Sequence, residues 1–208
     1  MFTFGALFLV IASFVIRKGE DVYFVNGNHS AKLDVFMVFV TKLGSGFLFV
    51  PLLICMLFVR FKYAVLTIIV WIGHGLICVL LKRGPFSDLQ RPRALLDNDL
   101  LHFVPNIDVH TFHSFPSGHT ATMFCFALLL SLFSRNRIVS VGLFVLAVLV
   151  GYSRIYLLQH FLMDVAAGAI IGVVFTFLAW RYFETAELPV WMSKYLRLNA
   201  RVSVTLAS

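Results

Sequence analysis

Six apolar runs, separated by short polar or charged connections, leave this chain few folds to choose from. They cover Phe2–Ile16, about Val35–Val59, Tyr63–Leu81, His119–Phe133, Ile138 to about Ser153, and about Phe161–Trp180. A helix that crosses the hydrocarbon layer needs about 20 residues, within a range of about 17–25, because no water is present there to pair an open backbone. Several of these runs are shorter and draw polar end residues into the helix. The second is interrupted by Lys42 and loosened by Gly44, Gly46 and Pro51. The first lacks a basic N-terminal flank and a small-x-small cleavage site, so it reads as a first span and not as a signal peptide. With 23 Phe in 208 residues, 60% hydrophobic and only 13% charged, the chain is too apolar for one water-soluble core. The expected fold is all-α: an integral membrane bundle of six transmembrane helices over residues 1–183, embedded in a lipid bilayer. A cytoplasmic or interfacial tail, rich in aromatic and basic residues, is expected over 184–208.

The formal net charge of +7 does not make this a nucleic-acid binder. Its Lys and Arg residues sit in short clusters between apolar runs, where a nucleic-acid surface would line them along one polar face. Cys55, Cys78 and Cys125 lie inside apolar runs without metal-ligand spacing and read as packing residues.

Three polar clusters stand where lipid is expected. The first, Leu80–Arg93, holds Lys82, Arg83, Arg91 and Arg93; taken alone it reads as a snorkelling interfacial loop. The second, His113–Thr122, opens the fourth run with Pro116-Ser117-Gly118-His119. Ser117 is placed as an N-cap, and a helix start carries unpaired N–H groups and partial positive charge that favour an anion. Gly118 permits close approach to the backbone, and His119 is positioned to donate a proton to a group leaving that anion. A capped helix with an interfacial histidine is the plainer reading of that motif alone. The third cluster places Arg154 at the end of the fifth run and His160 and Asp164 at the start of the sixth. His160 and Asp164 are four apart and share one helix face. Asp164 is the only charged residue between Ile155 and Trp180, and a carboxylate at that depth is costly unless it serves. The pair reads as a histidine nucleophile oriented by an aspartate, against the alternative of a structural hydrogen bond between helices.

Six spans bring the three clusters to one membrane face. Together they supply cations, a helix N-terminus, two histidines and one acid. That inventory suits phosphoryl transfer, in which catalysis is mostly positioning and charge stabilisation. No carboxylate cluster suited to a metal stands out, and Asp88, Asp97, Asp99 and Asp108 read as solvated loop residues; no metal and no other cofactor is expected. Raw Lys and Arg counts on the two sides are nearly balanced. With Lys82, Arg91 and Arg154 set aside as ligand-binding, the side carrying Arg60, Lys62, Arg135, Arg137 and the tail becomes cytoplasmic, and the clusters face outward.

In these motifs the chain resembles the type 2 phosphatidic acid phosphatase superfamily, whose pattern is a Lys followed by Arg-Pro, then Pro-Ser-Gly-His, then Ser-Arg with a downstream His and Asp. Here these are Lys82…Arg91-Pro92, Pro116-Ser117-Gly118-His119 and Ser153-Arg154…His160…Asp164, with five residues between Arg154 and His160 and three between His160 and Asp164. The stretch "VNGNHSAKLDVFMVFVTKLGS", between the first two runs, is similar to the family more weakly. The resemblance implies a six-helix, metal-independent membrane enzyme that dephosphorylates lipid phosphates. His160 would become a phosphohistidine with Asp164 orienting it, and His119 would protonate the leaving alcohol. Lys82, Arg91, Arg154, Ser117 and the Gly118 backbone would bind the phosphate. The eight-residue spacer between Lys82 and Arg91 is longer than the family's usual one, so either the excess loops out at Gly84-Pro85 or Arg83 takes the place of the lysine. Phosphatidate, phosphatidylglycerophosphate, undecaprenyl pyrophosphate and lipid A all fit as substrates, and the compact size suits a bacterial inner-membrane protein with an outward site. Vanadium haloperoxidases share the pocket in the family, but six apolar spans argue against that soluble branch. A non-catalytic anionic-lipid-binding protein or transporter is the alternative from another class.

Overall fold

The structure, a computed structural model, describes residues 1–196; Arg197, Arg201 and the rest of the expected tail to 208 lie outside the described residues. Every regular element among them is helical. The first apolar run forms α1 (Phe2–Val15). The chain then bends by 109° into a short polar helix, α2 (Glu20–Gly27), with the turn made at Gly19, whose φ of +100° suits only glycine comfortably.

The second run departs from the single span expected of it. It forms α3 (Ala31–Leu43) and α4 (Phe49–Val59), separated at Gly44–Leu48. Gly46 has a φ of +93°, and Pro51 falls in the first turn of α4, where its missing N–H would have been unpaired anyway. Tertiary packing explains the break. A Cβ on Gly44 would stand 2.8 Å from the His119 carbonyl oxygen and 2.8 Å from Val150, so the interruption lets the backbone press against the start of the fourth run.

The remaining helices follow the sequence closely: α5 (Phe61–Arg83), α6 (Pro92–Leu95) within the long connection, α7 (Gly118–Ser134), α8 (Arg137–Tyr156) and α9 (Leu162–Thr185). Three of them, α5, α8 and α9, are long and apolar enough to cross a membrane, and α1 with α2 passes the same test as one bent span. Helices α4 and α7 are apolar but shorter. Large side chains such as Phe4, Phe14, Ile138 and Leu178 point outward from the bundle, as a lipid-facing surface requires.

Helix α7 is the centre of the bundle and packs on α5, α8 and α9. Its approach to α9 depends on Gly168 and Gly172, four residues apart. A Cβ on Gly168 would stand 2.4 Å from the Ser117 carbonyl oxygen, and one on Gly172 2.8 Å from that of Ala121. This is the small-xxx-small contact that lets helix backbones meet in lipid. The main core, including Phe49, Leu66, Phe124 and Leu129, fills the bundle. A second cluster, including Val22, Met37, Leu101, Leu158 and Phe161, gathers at one end beneath the long connection. At the opposite end α9 runs to Thr185, just past the expected start of the tail, and the chain folds back. Lys194 O accepts from the Phe61 N–H at 2.8 Å, and Lys62 pairs with Glu184 at 2.8 Å.

Candidate active site

The start of α7 is built as its sequence demands. Ser117 is the N-cap, its Oγ accepting from the Thr120 N–H at 3.5 Å and lying 2.8 Å from the Thr120 hydroxyl. The Ser117 side chain is fully buried by this local work. A Cβ on Gly118 would meet open space, so the first turn presents its backbone to a cavity. That cavity, about 270 Å³, is lined by Lys82, Gly118, His119 and Thr122, with Gly44 and Ser45 from the break between α3 and α4. His74 lines it too, its ring 2.6 Å from the Val70 carbonyl and 2.9 Å from the Thr122 hydroxyl, as expected of a packing histidine held by hydrogen bonds.

His160 lies in the bend between α8 and α9. Helix α8 ends in a Schellman arrangement: the Gln159 N–H donates to Arg154 O at 2.9 Å and the Leu158 N–H to Ile155 O at 3.0 Å. Leu158 occupies the left-handed position with φ +58°, where glycine is the usual residue. The reversal turns His160 back over the helix end, and its own N–H also donates to Arg154 O, at 3.2 Å. Asp164 completes the turn. Its Oδ2 accepts from the Phe161 N–H at 3.0 Å, the Ser114 hydroxyl at 2.5 Å and His160 Nδ1 at 3.3 Å. The Asp164 backbone carbonyl accepts from the Ser117 N–H at 2.9 Å, which ties this turn to the start of α7. With Nδ1 engaged, Nε2 is the ring nitrogen left to react. Burial pushes the His160 imidazole well below its ordinary pKa, against the pull of the Asp164 carboxylate and with help from Arg91 and Arg154, so the ring is neutral and nucleophilic near pH 7.

Around this pair stand three cations. Lys82 lies within electrostatic reach of Arg91, Arg154 and Asp164, and it is half-buried where Arg83 is exposed; the lysine therefore points to the site. The longer spacer is taken up by turns at Gly84–Asp88. Arg154 is buried, donates from Nη1 to the Thr41 hydroxyl at 2.5 Å, and leaves its Nε without a partner among the described residues. An orphan buried donor on a guanidinium suits an anionic oxygen. Arg91 differs. It donates to the Phe112, His113 and Gln159 carbonyls and to Gln159 Oε1, at 2.8–3.4 Å. Counted one N–H per bond, a single donor of its five remains for a ligand. Arg91 is thus as much the pin of the long connection as a phosphate ligand.

All eight sequence-derived residues converge on one end of the bundle, as the six-run topology requires. The loop acids Asp88, Asp97, Asp99 and Asp108 are exposed. Sequence reading missed Thr41, Ser114 and Gln159. Ser114 and Gln159 were visible as polar residues beside His113 and His160, whereas nothing local marks Thr41, 113 positions from Arg154. His102 is bound to Asp34 at 3.0 Å and stacked on His29 at 3.8 Å.

A family model described as the PAP2 superfamily matches residues 61–187. A similar curated protein is an undecaprenyl-diphosphatase from Sulfolobus acidocaldarius, 28% identical over 192 residues, which cover 88% of this chain and 90% of the relative. Among solved structures, LpxE of Aquifex aeolicus superposes with a TM-score of 0.68 at 32% identity, covering 77% of this chain and 93% of that one. A PAP2-type phosphatidylglycerolphosphate phosphatase from Bacillus subtilis superposes with a TM-score of 0.66 at 25% identity, covering 87% and 94%.

Proposed function

The chain belongs to the PAP2 superfamily, and from that premise we propose that it is a membrane lipid-phosphate phosphohydrolase working through a phosphohistidine on His160. The observation that carries the reading is the buried His160–Asp164 pair, with Arg91 and Arg154 within electrostatic reach of His160 and Lys82 within reach of Asp164. Phosphate oxygens are bound by these cations, with the Arg154 Nε and the backbone at Gly118 completing the clamp. Nε2 of His160 attacks phosphorus in line with the ester oxygen, and the P–O bond to the lipid breaks as the P–N bond forms. His119, on the cavity wall, gives its proton to the departing oxygen. It then takes a proton from the water that attacks the phosphohistidine, which releases inorganic phosphate and restores both histidines. The protein's cations, set against the negative equatorial oxygens, do the work that a metal performs in other phosphoryl-transfer sites.

The substrate class is a lipid phosphate monoester or diphosphate, whose head group enters the cavity while its acyl or prenyl tail stays in the bilayer. The site opens to the outer side of the membrane, because the opposite end carries Arg60, Lys62, Arg135 and Arg137; in a bacterium that is the periplasmic face. The test is phosphate release from dioctanoyl phosphatidate, phosphatidylglycerophosphate and undecaprenyl diphosphate in detergent micelles with EDTA present. Turnover is expected on at least one lipid and to vanish in His160→Ala. Full turnover by that variant, or strict dependence on added metal, refutes the mechanism.

A further inference from the structure

Helix α2 does not prolong α1 as a straight span. It is short, opens with Glu20 and Asp21, and lies at 109° to α1. Two of its polar side chains are nevertheless buried, Asp21 at 7% exposure and Asn26 at 0%. Both are used on the same distant segment. Asp21 Oδ1 accepts from the Gly19 N–H at 2.9 Å, and its Oδ2 accepts from the Leu162 N–H at 2.5 Å, across 141 positions. Leu162 is the first residue of α9, whose own N-cap, Phe161, offers no side-chain oxygen. A carboxylate from α2 therefore supplies the cap that α9 lacks, at the helix end where negative charge is favoured.

Asn26 does the corresponding work on the other side. Its Nδ2 donates to the Tyr156 carbonyl at 2.9 Å and to the His102 carbonyl at 2.9 Å, while its Oδ1 accepts from the His102 N–H at 2.8 Å. Tyr156 is the last residue of α8, and its hydroxyl donates to Asp34 Oδ1 at 2.5 Å. The two α2 side chains thus hold the last residue of α8 and the first residue of α9. Between those points lie His160 and Leu158, and the left-handed backbone of Leu158 is a strain that the surroundings must offset. A strained bend held at both ends by one rigid helix is fixed in place more tightly than its own hydrogen bonds require.

We propose that Asp21 and Asn26 are positioning residues that set where His160 stands relative to the bound phosphate. The inference rests on His160 being the attacking group. It is tested in the full chain in detergent micelles with dioctanoyl phosphatidate, measuring kcat, inhibition by inorganic phosphate and the melting temperature. Asp21→Ala and Asn26→Ala should each lower kcat by about ten- to a hundredfold, the effect of about 1 Å of displacement, at a temperature where the protein is folded. Their inhibition constants for inorganic phosphate should stay within about threefold of wild type, because Lys82 and Arg154 stand on α5 and α8 outside the bend and only Arg91 is anchored on it, through Gln159. Asp21→Asn, which keeps an acceptor for the Leu162 N–H, should recover most of the rate. Should Asp21→Ala not fold, Asn26→Asp carries the test, since it keeps the acceptor for His102 but loses the donors to Tyr156. Rates within about twofold of wild type in the folded variants, or a parallel loss of rate and phosphate affinity, overturn the proposal. Full activity in a His160→Ala control sinks the mechanism itself; an inactive control beside a fully active Asp21→Ala sinks only the positioning role.

Discussion

Replacing Asp164 by Asn changes one charge and almost no volume, which makes it the sharpest probe of the site. The carboxylate oxygen Oδ2 gathers three donors, from Ser114, His160 and Phe161. The resting imidazole is neutral, so the carboxylate contributes little charge attraction before reaction. As Nε2 bonds to phosphorus the ring becomes cationic, with its Nδ1 3.3 Å from Oδ2. At an effective dielectric constant of about 20, unit charges 3.3 Å apart attract by about 5 kcal/mol. Lost from the transition state alone, that is about three to four decades in kcat. Phosphate binding should respond in the opposite sense or not at all, because the substitution leaves three cations without a competing carboxylate. The assay is steady-state hydrolysis of dioctanoyl phosphatidate with EDTA, paired with inhibition by inorganic phosphate; a rise in melting temperature on adding phosphate shows that the variant is folded. A kcat within about tenfold of wild type would refute the reasoning, since it would mean that little charge develops on the ring.

Two further outcomes follow from the packing and from the acid-base state of the bend. Gly168→Ala would place a Cβ 2.4 Å from the Ser117 carbonyl oxygen, so α7 and α9 must part and carry the Ser117–His119 turn away from His160. Overpacking of this kind costs about 1–3 kcal/mol and should lower the melting temperature by several degrees, with kcat falling beyond what unfolding explains; unchanged kcat argues against a rigid contact. His160 has a folded-state pKa below its ordinary 6.5, so the unfolded chain binds the extra proton first on acidification. The stability this site confers is complete above about pH 6.5 and is lost as pH falls toward the folded value, at up to about 1.4 kcal/mol per pH unit. Melting temperatures measured from about pH 7.5 to about pH 5 should therefore fall more steeply in wild type than in His160→Asn, and equal slopes would contradict a buried neutral ring.

Local pattern was enough for much of this protein. Long apolar runs in lipid can only become helices, so α5, α7, α8 and α9 lie within a few residues of where hydropathy put them. The Pro-Ser-Gly-His turn is likewise a property of a few neighbouring residues and caps α7 as expected. His160 and Asp164 do pair at 3.3 Å, but not on one helix face, because His160 stands in the bend before α9 begins at Leu162. Tertiary structure decided what depends on distant partners. Gly44, Gly46 and Pro51 warned that the second run was loose, but only the approach of His119 explains a break there. The phase of α5 turned Lys82 inward and left Arg83 exposed, a choice the spacer left open. Thr41 on Arg154, Asn26 on Tyr156 and Asp21 on Leu162 join residues more than a hundred positions apart. Periodicity records which way a helix faces, but a buried hydrogen bond is settled only when two faces meet and each leaves a polar group that must find a partner.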